Sequence, residues 1–118
     1  SSFDSVLQDL KKMYPNRRKI VVCGAMAELG DLSNYGHFEV GKNMVHNGVN
    51  LLLGLGGKEI DSYIKGWQNA GGNSDAAIHF TDLKQLVAVF KSILKKGDMV
   101  LVKGSRSSHM EEFVNLMY

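Results

Sequence analysis

Gly97-Asp98-Met99-Val100-Leu101-Val102-Lys103-Gly104-Ser105-Arg106-Ser107-Ser108 is the stretch on which the reading of this chain turns. Met99 to Val102 is a short apolar run with β-branched members, set between the Gly97-Asp98 turn signal and a polar, basic segment, the pattern of a buried strand. Ser107 and Ser108 are suited to cap a following helix, and Ser108 with Glu111 has the spacing of a capping box. Strand, basic glycine-containing turn and helix start, in that order, gather unpaired backbone N–H groups, Lys103 and Arg106 at one place. An anion is what such a place suits. The competing reading leaves Lys103 and Arg106 as solvated loop charges.

Working outward, the same alternation recurs. Upstream, Leu83, Leu86, Val87, Phe90, Ile93 and Leu94 fall at helical spacing behind Thr81 or Asp82 as cap, with Lys95 and Lys96 at the negative end of the dipole and Gly97 closing the helix. Ala76 to Phe80 predicts a short strand before it. Val49 to Leu55 is a strand apolar enough to be covered on both faces, and the Gly54 to Gly57 turn leads into a helix with Ile60, Ile64 and Trp67 inward. Lys19 to Cys23 is the first strand, and a loop runs from Gly24 to about Leu32. Ser33 or Asn34 then starts a helix carrying His37, Phe38, Gly41, Met44 and Val45, which Asn47-Gly48 stops. Phe3, Val6, Leu7, Leu10, Met13 and Tyr14 mark an amphipathic first helix ended by Pro15; Met110, Phe113, Val114 and Met117 mark the last.

Strands alternating with helices, each crossover long enough to return the chain to a parallel neighbour, predict one α/β domain over residues 1–118. The expected architecture is a Rossmann-like, doubly wound, mainly parallel sheet of about four strands with helices on both faces. Ligands of such sheets bind beyond the carboxyl ends of the strands, which collects the Gly24 to Leu32 loop, the Gly54 to Gly57 turn and the Lys103 to Ser108 turn on one edge.

A balance of 14 basic against 12 acidic residues, net charge +2, argues against nucleic acid or an anionic membrane surface as partner. No apolar run approaches the roughly 18 residues of a membrane span, so a soluble protein is expected. The single cysteine, Cys23, excludes an internal disulfide and reads as a small buried hydrophobe, compatible with a reducing cytosol.

Two glycine-rich segments invite a ligand. Gly54-Leu55-Gly56-Gly57-Lys58 is not a Walker A loop, because too few residues precede the Gly-Lys pair and Glu59 follows it; Glu59 also occupies the third glycine position of a dinucleotide fingerprint. A tight turn is the better reading. In Gly24-Ala25-Met26-Ala27-Glu28-Leu29-Gly30, two glycines bracket an acid. Glu28 is placed to hold an ammonium group or orient a neighbour, and His37, one turn into the next helix, to do the same; the alternative is a surface Glu and a helix-capping His. His79 reads as a packed or edge residue and His46 as a partner of the helix dipole. No metal-ligand spacing and no Ser, His and acid triad stands out, so neither a metal ligand nor a catalytic residue is assigned.

The run Val21 to Gly30 with Ser33, His37 and Val40-Gly41, then His79-Phe80, then Gly97 to Arg106 with Met110-Glu111, resembles the C-terminal domain of the Mur ligase family, in the form found in MurF enzymes. The resemblance covers nearly the whole chain in order. Where the family usually has Gly-Asp-Met, this chain has Gly24-Ala25-Met26, and Ser1 stands just after the family's Asn-Ala-Asn-Pro segment, as in a domain taken from a longer chain. The resemblance implies a bacterial, cytoplasmic, monomeric ligase that joins D-Ala-D-Ala to UDP-MurNAc-tripeptide through an acyl phosphate, using ATP and Mg2+ in the full-length enzyme. It implies that the N-terminal UDP-binding and central ATPase domains are absent here, and that this domain closes over the central one. Alone, the domain is expected to bind no cofactor and to be inactive. By analogy Lys103, Ser105 and Arg106 meet anionic groups, Ser107 and Ser108 offer backbone N–H, and Glu28 and His37 fix the loop or the amine. A function of another class, a free-standing Rossmann-like nucleotide- or anion-binding module, remains the alternative.

Overall fold

The computed structural model describes residues 2–26, 33–104 and 108–117. Helix α1 (Ser2–Met13) leads into β1 (Lys19–Cys23), followed by α2 (Ser33–His46), β2 (Leu51–Leu55), α3 (Lys58–Asn69), a 3-10 turn at Ser74–Ala76, β3 (Ala77–Phe80), α4 (Leu83–Ile93), β4 (Met99–Lys103) and α5 (Met110–Met117). All strand pairs are parallel and the sheet order is β3-β2-β1-β4, so the chain first steps outward from β1 and then returns to its other side. That reversal is the doubly wound topology expected from the alternation of elements.

Residues of successive parity on β1 feed two separate cores. Val21 and Cys23 face a core built with Phe3 and Leu7 of α1, Val40 and Met44 of α2, and Ile60, Tyr63 and Trp67 of α3. Ile20 and Val22 face the other, with Leu86 and Phe90 of α4 and Met110 and Phe113 of α5. A strand covered on both faces has little use for polar residues, which explains the unbroken Ile-Val-Val-Cys run. Helices α2 and α3 come so close that a Cβ on Gly41 would lie 2.0 Å from the Tyr63 carbonyl oxygen, and one on Gly66 1.9 Å from that of Phe38. Only glycine permits that contact.

Three expectations need correction. Helix α4 stops at Ile93, and Leu94 is extended with φ −63° and ψ 132°. Lys95, Lys96 and Gly97 therefore follow the helix, Gly97 serving at φ 92° in a turn closed by the Asp98 N–H on the Lys95 carbonyl. The cause is tertiary: Arg18 donates to the freed Ile93 carbonyl at 2.6 Å while binding both oxygens of Asp98, at 3.0 and 2.6 Å. Second, α5 opens at Met110, behind His109 at φ 61°, so the position before the first helical residue falls on His109, one residue beyond Ser108. Third, β2 starts at Leu51, because the Val49 N–H turns back to Met44 of α2 and Asn50 makes the first contact with β1. Among the described residues, no helix is long and apolar enough to cross a membrane.

Candidate functional site

Beyond the carboxyl ends of the strands lies a cleft of about 370 Å³, lined among the described residues by Ala25 after β1, Leu55, Gly56 and Glu59 after β2, Thr81 and Leu83 after β3, and Ser108, His109 and Glu112 before and within α5. Its position follows from topology. It opens at the carboxyl edge of the sheet, where the strand order reverses about β1.

The wall between β1 and β4 is set by close packing. The ladder continues past the strands through the Gly24 N–H on the Lys103 carbonyl at 2.9 Å. Ser108 folds onto this junction, where a Cβ on Gly24 would fall 2.3 Å from its Cβ and one on Gly104 2.4 Å from its Oγ. Two glycines thus make the socket that seats Ser108, and with it the start of α5.

The loop after β1 is pinned from the other face of the sheet. His37, 1% exposed, accepts the Met26 N–H on Nε2 at 3.1 Å. Its ring meets Tyr63 edge-on, with centroids 4.7 Å apart, and the Tyr63 hydroxyl donates to the Gly24 carbonyl at 2.9 Å. Burial holds the Tyr63 hydroxyl well above the ordinary phenol range, so it stays a donor. Burial likewise pushes the Cys23 thiol, 0% exposed, up to about 12, which keeps it an unreactive packing group.

Charge collects at the rim of the cleft. Glu59 accepts the Gly57 N–H at 3.2 Å, placing a carboxylate where a phosphate loop would need a bare backbone donor. His109 Nδ1 lies 3.6 Å from Glu112 Oε1. On the outer strand, His79 bridges the Gly56 carbonyl, at 2.7 Å from Nε2, and Asp61, at 3.3 Å from Nδ1, fixing the β2 turn to α3. A lining that joins the apolar Ala25, Leu55 and Leu83 with two carboxylic residues, Glu59 and Glu112, suits a small apolar group bearing an ammonium better than it suits a phosphate. Among the described residues no three His, Cys, Asp or Glu side chains form a metal-sized group.

Of the residues singled out in the sequence, Lys103 ends β4 and is exposed, on the same side of the sheet as Leu101, whereas Ser108 lies in the socket and at the cleft wall. His37 is interior, with its ring turned to the loop backbone and not to the cleft. Glu28, Ser105, Arg106 and Ser107 lie outside the described residues. Glu59, Tyr63 and Glu112 carry site geometry that the sequence reading did not assign. Glu59 had a legible signal, an acid two residues past a glycine turn at a strand end; Tyr63 had none, since its partner is a carbonyl 39 residues away.

Comparison with known proteins fits this arrangement. The family model described as "Mur ligase, glutamate ligase domain" matches residues 1–106. The UDP-N-acetylmuramoyl-tripeptide--D-alanyl-D-alanine ligase of Bacillus subtilis is 28% identical over 97% of this chain and 24% of its own length. Its namesake from Buchnera aphidicola is 35% identical over 97% of this chain and 23% of its own. A crystal structure of MurF ligase from Thermotoga maritima in complex with ADP superposes with a TM-score of 0.70 at 24% identity, covering 96% of this chain and 25% of that one. This chain spans about a quarter of the length of the curated relatives it matches. Two-layer helical cover, the reversed strand order and a match over nine-tenths of the sequence lead to one conclusion: the chain belongs to the Mur ligase family, as a C-terminal domain of the MurF type.

Proposed function

We propose that this chain is the closing domain of a ligase that joins D-Ala-D-Ala to UDP-MurNAc-tripeptide in bacterial peptidoglycan synthesis, and that its cleft receives the dipeptide. The observation that carries the reading is the cleft itself, a lining that joins alanine and leucine side chains with Glu59 and Glu112, at the edge where a doubly wound sheet binds ligands. Methyl groups pack on the apolar part of such a lining, and the carboxylates attract the dipeptide's ammonium end. Lys103 at the end of β4, with Ser108 and, through the family resemblance, Ser105, Arg106 and Ser107, meets the anionic groups on the far side.

ATP gives its terminal phosphoryl group to the tripeptide carboxylate and leaves as ADP; the dipeptide amine then attacks the acyl-phosphate carbon, and the C–O bond to phosphate breaks, so that inorganic phosphate and the amine's proton leave as the amide forms. The residues of this chain fit the nucleotide only in part. Lys103 is a cation free to approach its phosphates, while the Glu59 carboxylate on the Gly57 N–H keeps phosphate away from the β2 turn. Nucleotide and Mg2+ are therefore assigned mainly to a central ATPase domain of the same polypeptide, in a monomeric cytoplasmic enzyme; the ADP named with the Thermotoga structure supports a nucleotide in that assembly. The work of this domain is to position the amine and to exclude water from a hydrolysable intermediate when it closes.

The test is steady-state ligation by the full-length enzyme carrying Glu59→Gln or Lys103→Ala. Either change is expected to lower kcat/KM for the dipeptide by about 10- to 100-fold with native stability retained. Unchanged kcat/KM in both overturns the assignment. The 118-residue chain alone is expected to hydrolyse no ATP, and micromolar ATP binding by it would favour the free-standing nucleotide-binding module instead.

A further inference from the structure

At the opposite end of the sheet, outside the amino ends of β1 and β2, a second cavity of about 450 Å³ is lined by Lys11, Pro15, Asn16, Arg17, Arg18, Lys19, Gly48 and Asn50. Four of those side chains are cations, and one carboxylate, Asp98, is ion-paired with any of them among the described residues. The others end on neutral acceptors. Lys11 Nζ donates to the His46 carbonyl at 3.0 Å, and the Arg17 guanidinium lies 5.2 Å from the Tyr14 ring centroid with its Nη1 3.6 Å from Met99 Sδ.

Lys19 carries the argument. The residue is 5% exposed, yet its ammonium makes one hydrogen bond, to the Arg17 carbonyl at 3.0 Å, although it has three N–H donors. An ammonium on the wall of a cavity with one carbonyl partner has donors left for an anion that enters it. The β1 positions that follow are apolar and wholly buried, and the bonds to Asn50 use only the main chain of Lys19, its N–H donating to the Asn50 side-chain Oδ1 at 2.8 Å and its carbonyl accepting the Asn50 N–H at 2.8 Å. With its carbonyl engaged, the Asn50 side chain has its amide NH2 as a further donor at the same mouth.

We propose that this cavity is an anion site for a small phosphate-bearing molecule, held by Lys19 at the base and by Lys11, Arg17 and Asn50 around it. Several cations in a concave, low-dielectric setting reinforce one another, and a phosphate oxygen can replace the carbonyl partners while neutralising the charge they leave uncompensated. A multiply charged phosphate answers three unpaired cations where a lone carboxylate answers one. The concave shape and the small net charge of the chain, +2, favour a small molecule over a lipid surface. The site shares no residue with the carboxyl-end cleft, so it stands or falls apart from the ligase reading.

The experiment is a titration of the 118-residue chain at low ionic strength with pyrophosphate, inorganic phosphate and ADP, followed by amide shifts in NMR. Saturable shifts at Lys19, Gly48 and Asn50 are expected, with affinity lowered at least about tenfold in Lys19→Met and in the Lys11→Ala, Arg17→Ala pair. Tighter binding of pyrophosphate and phosphate than of ADP identifies a free anion; the reverse identifies a phosphoryl group carried on an organic molecule. If Lys19→Met does not fold, the pair at exposed positions decides. No saturable shift with any probe, equal affinity in the charge-depleted pair, or binding confined to anionic lipid vesicles overturns the proposal.

Discussion

At the amino end of the sheet Arg18 and Asp98 tie β1 to β4 with charged hydrogen bonds at 3.0 and 2.6 Å, whereas at the carboxyl end the same two strands are joined by the Gly24 N–H on the Lys103 carbonyl and by two glycines packed on a serine, while the Tyr63 hydroxyl of α3 holds the Gly24 carbonyl. The guanidinium also satisfies the last turn of α4, and the Lys95 N–H completes the Asp98 carboxylate at 2.8 Å. One end is thus closed by ions, the other by shape and neutral dipoles. The difference leaves the charged groups of the carboxyl edge, Glu59, Glu112, His109 and Lys103, at the rim and not consumed in holding strands together. A binding edge gains from that arrangement, because its electrostatics can be matched to a ligand without undoing the fold.

Substitution can break this contrast. The largest effect is expected at Tyr63, where replacement by alanine removes a fully buried ring from the α2–α3 core and costs about 3 to 5 kcal/mol in urea unfolding. Tyr63→Phe keeps the ring and isolates the hydroxyl, at about 1 kcal/mol. Next comes Asp98→Asn, which leaves a partly exposed guanidinium with a weaker partner and lowers stability by about 2 kcal/mol; a loss below that of Tyr63→Phe would mean that the ion pair is ornamental. His37→Phe strands the Met26 N–H and is expected to cost about 1 to 2 kcal/mol, with faster hydrogen exchange at that amide.

A pH series sharpens the same comparison. Hydrogen bonds from Arg18 hold the Asp98 carboxyl below its ordinary value of 3.8. A depressed folded value means that the unfolded chain takes up the proton first, so the pair's contribution is full above 3.8 and is lost as pH falls through the lower, folded value. The stability gap between the native chain and Asp98→Asn should therefore close in that acid window, while the gap for Tyr63→Phe stays constant across it. Smallest of all, the Cys23 thiol, raised to about 12 and fully buried, should react with a thiol reagent no faster than the chain unfolds.

The sequence made legible what local pattern controls. Lys19 to Cys23 reads as a strand because its run is apolar on both faces, and of the two cap candidates, Thr81 and Asp82, it is Asp82 whose carboxylate takes the Lys84 N–H two residues on. What escaped were features decided across the fold. Leu94 continues the α4 periodicity, yet the helix ends before it because Arg18, 75 residues from Ile93 in sequence, claims the carbonyl. Helix α5 opens at Met110, behind a left-handed His109, while Ser108 packs against Gly24 from the far end of the sequence, and no local pattern announces either. At the cleft, the carboxyl edge was legible from topology alone. Of its carboxylates Glu59 carried a local signal, whereas Glu112 lines the same cleft only once α5 has folded onto the sheet.

The strand order carries a consequence for the history of each molecule. Since β1 lies between β2 and β4, this domain's first strand keeps one edge unpaired until residues 99–103 have been made, and Ile20 and Val22, with α4 already synthesised, then wait for α5 to complete their side. Nascent chains ending before Met99 should remain soft and protease-sensitive however well their first half has collapsed. Cooperativity in this small sheet is therefore granted late, by its final strand.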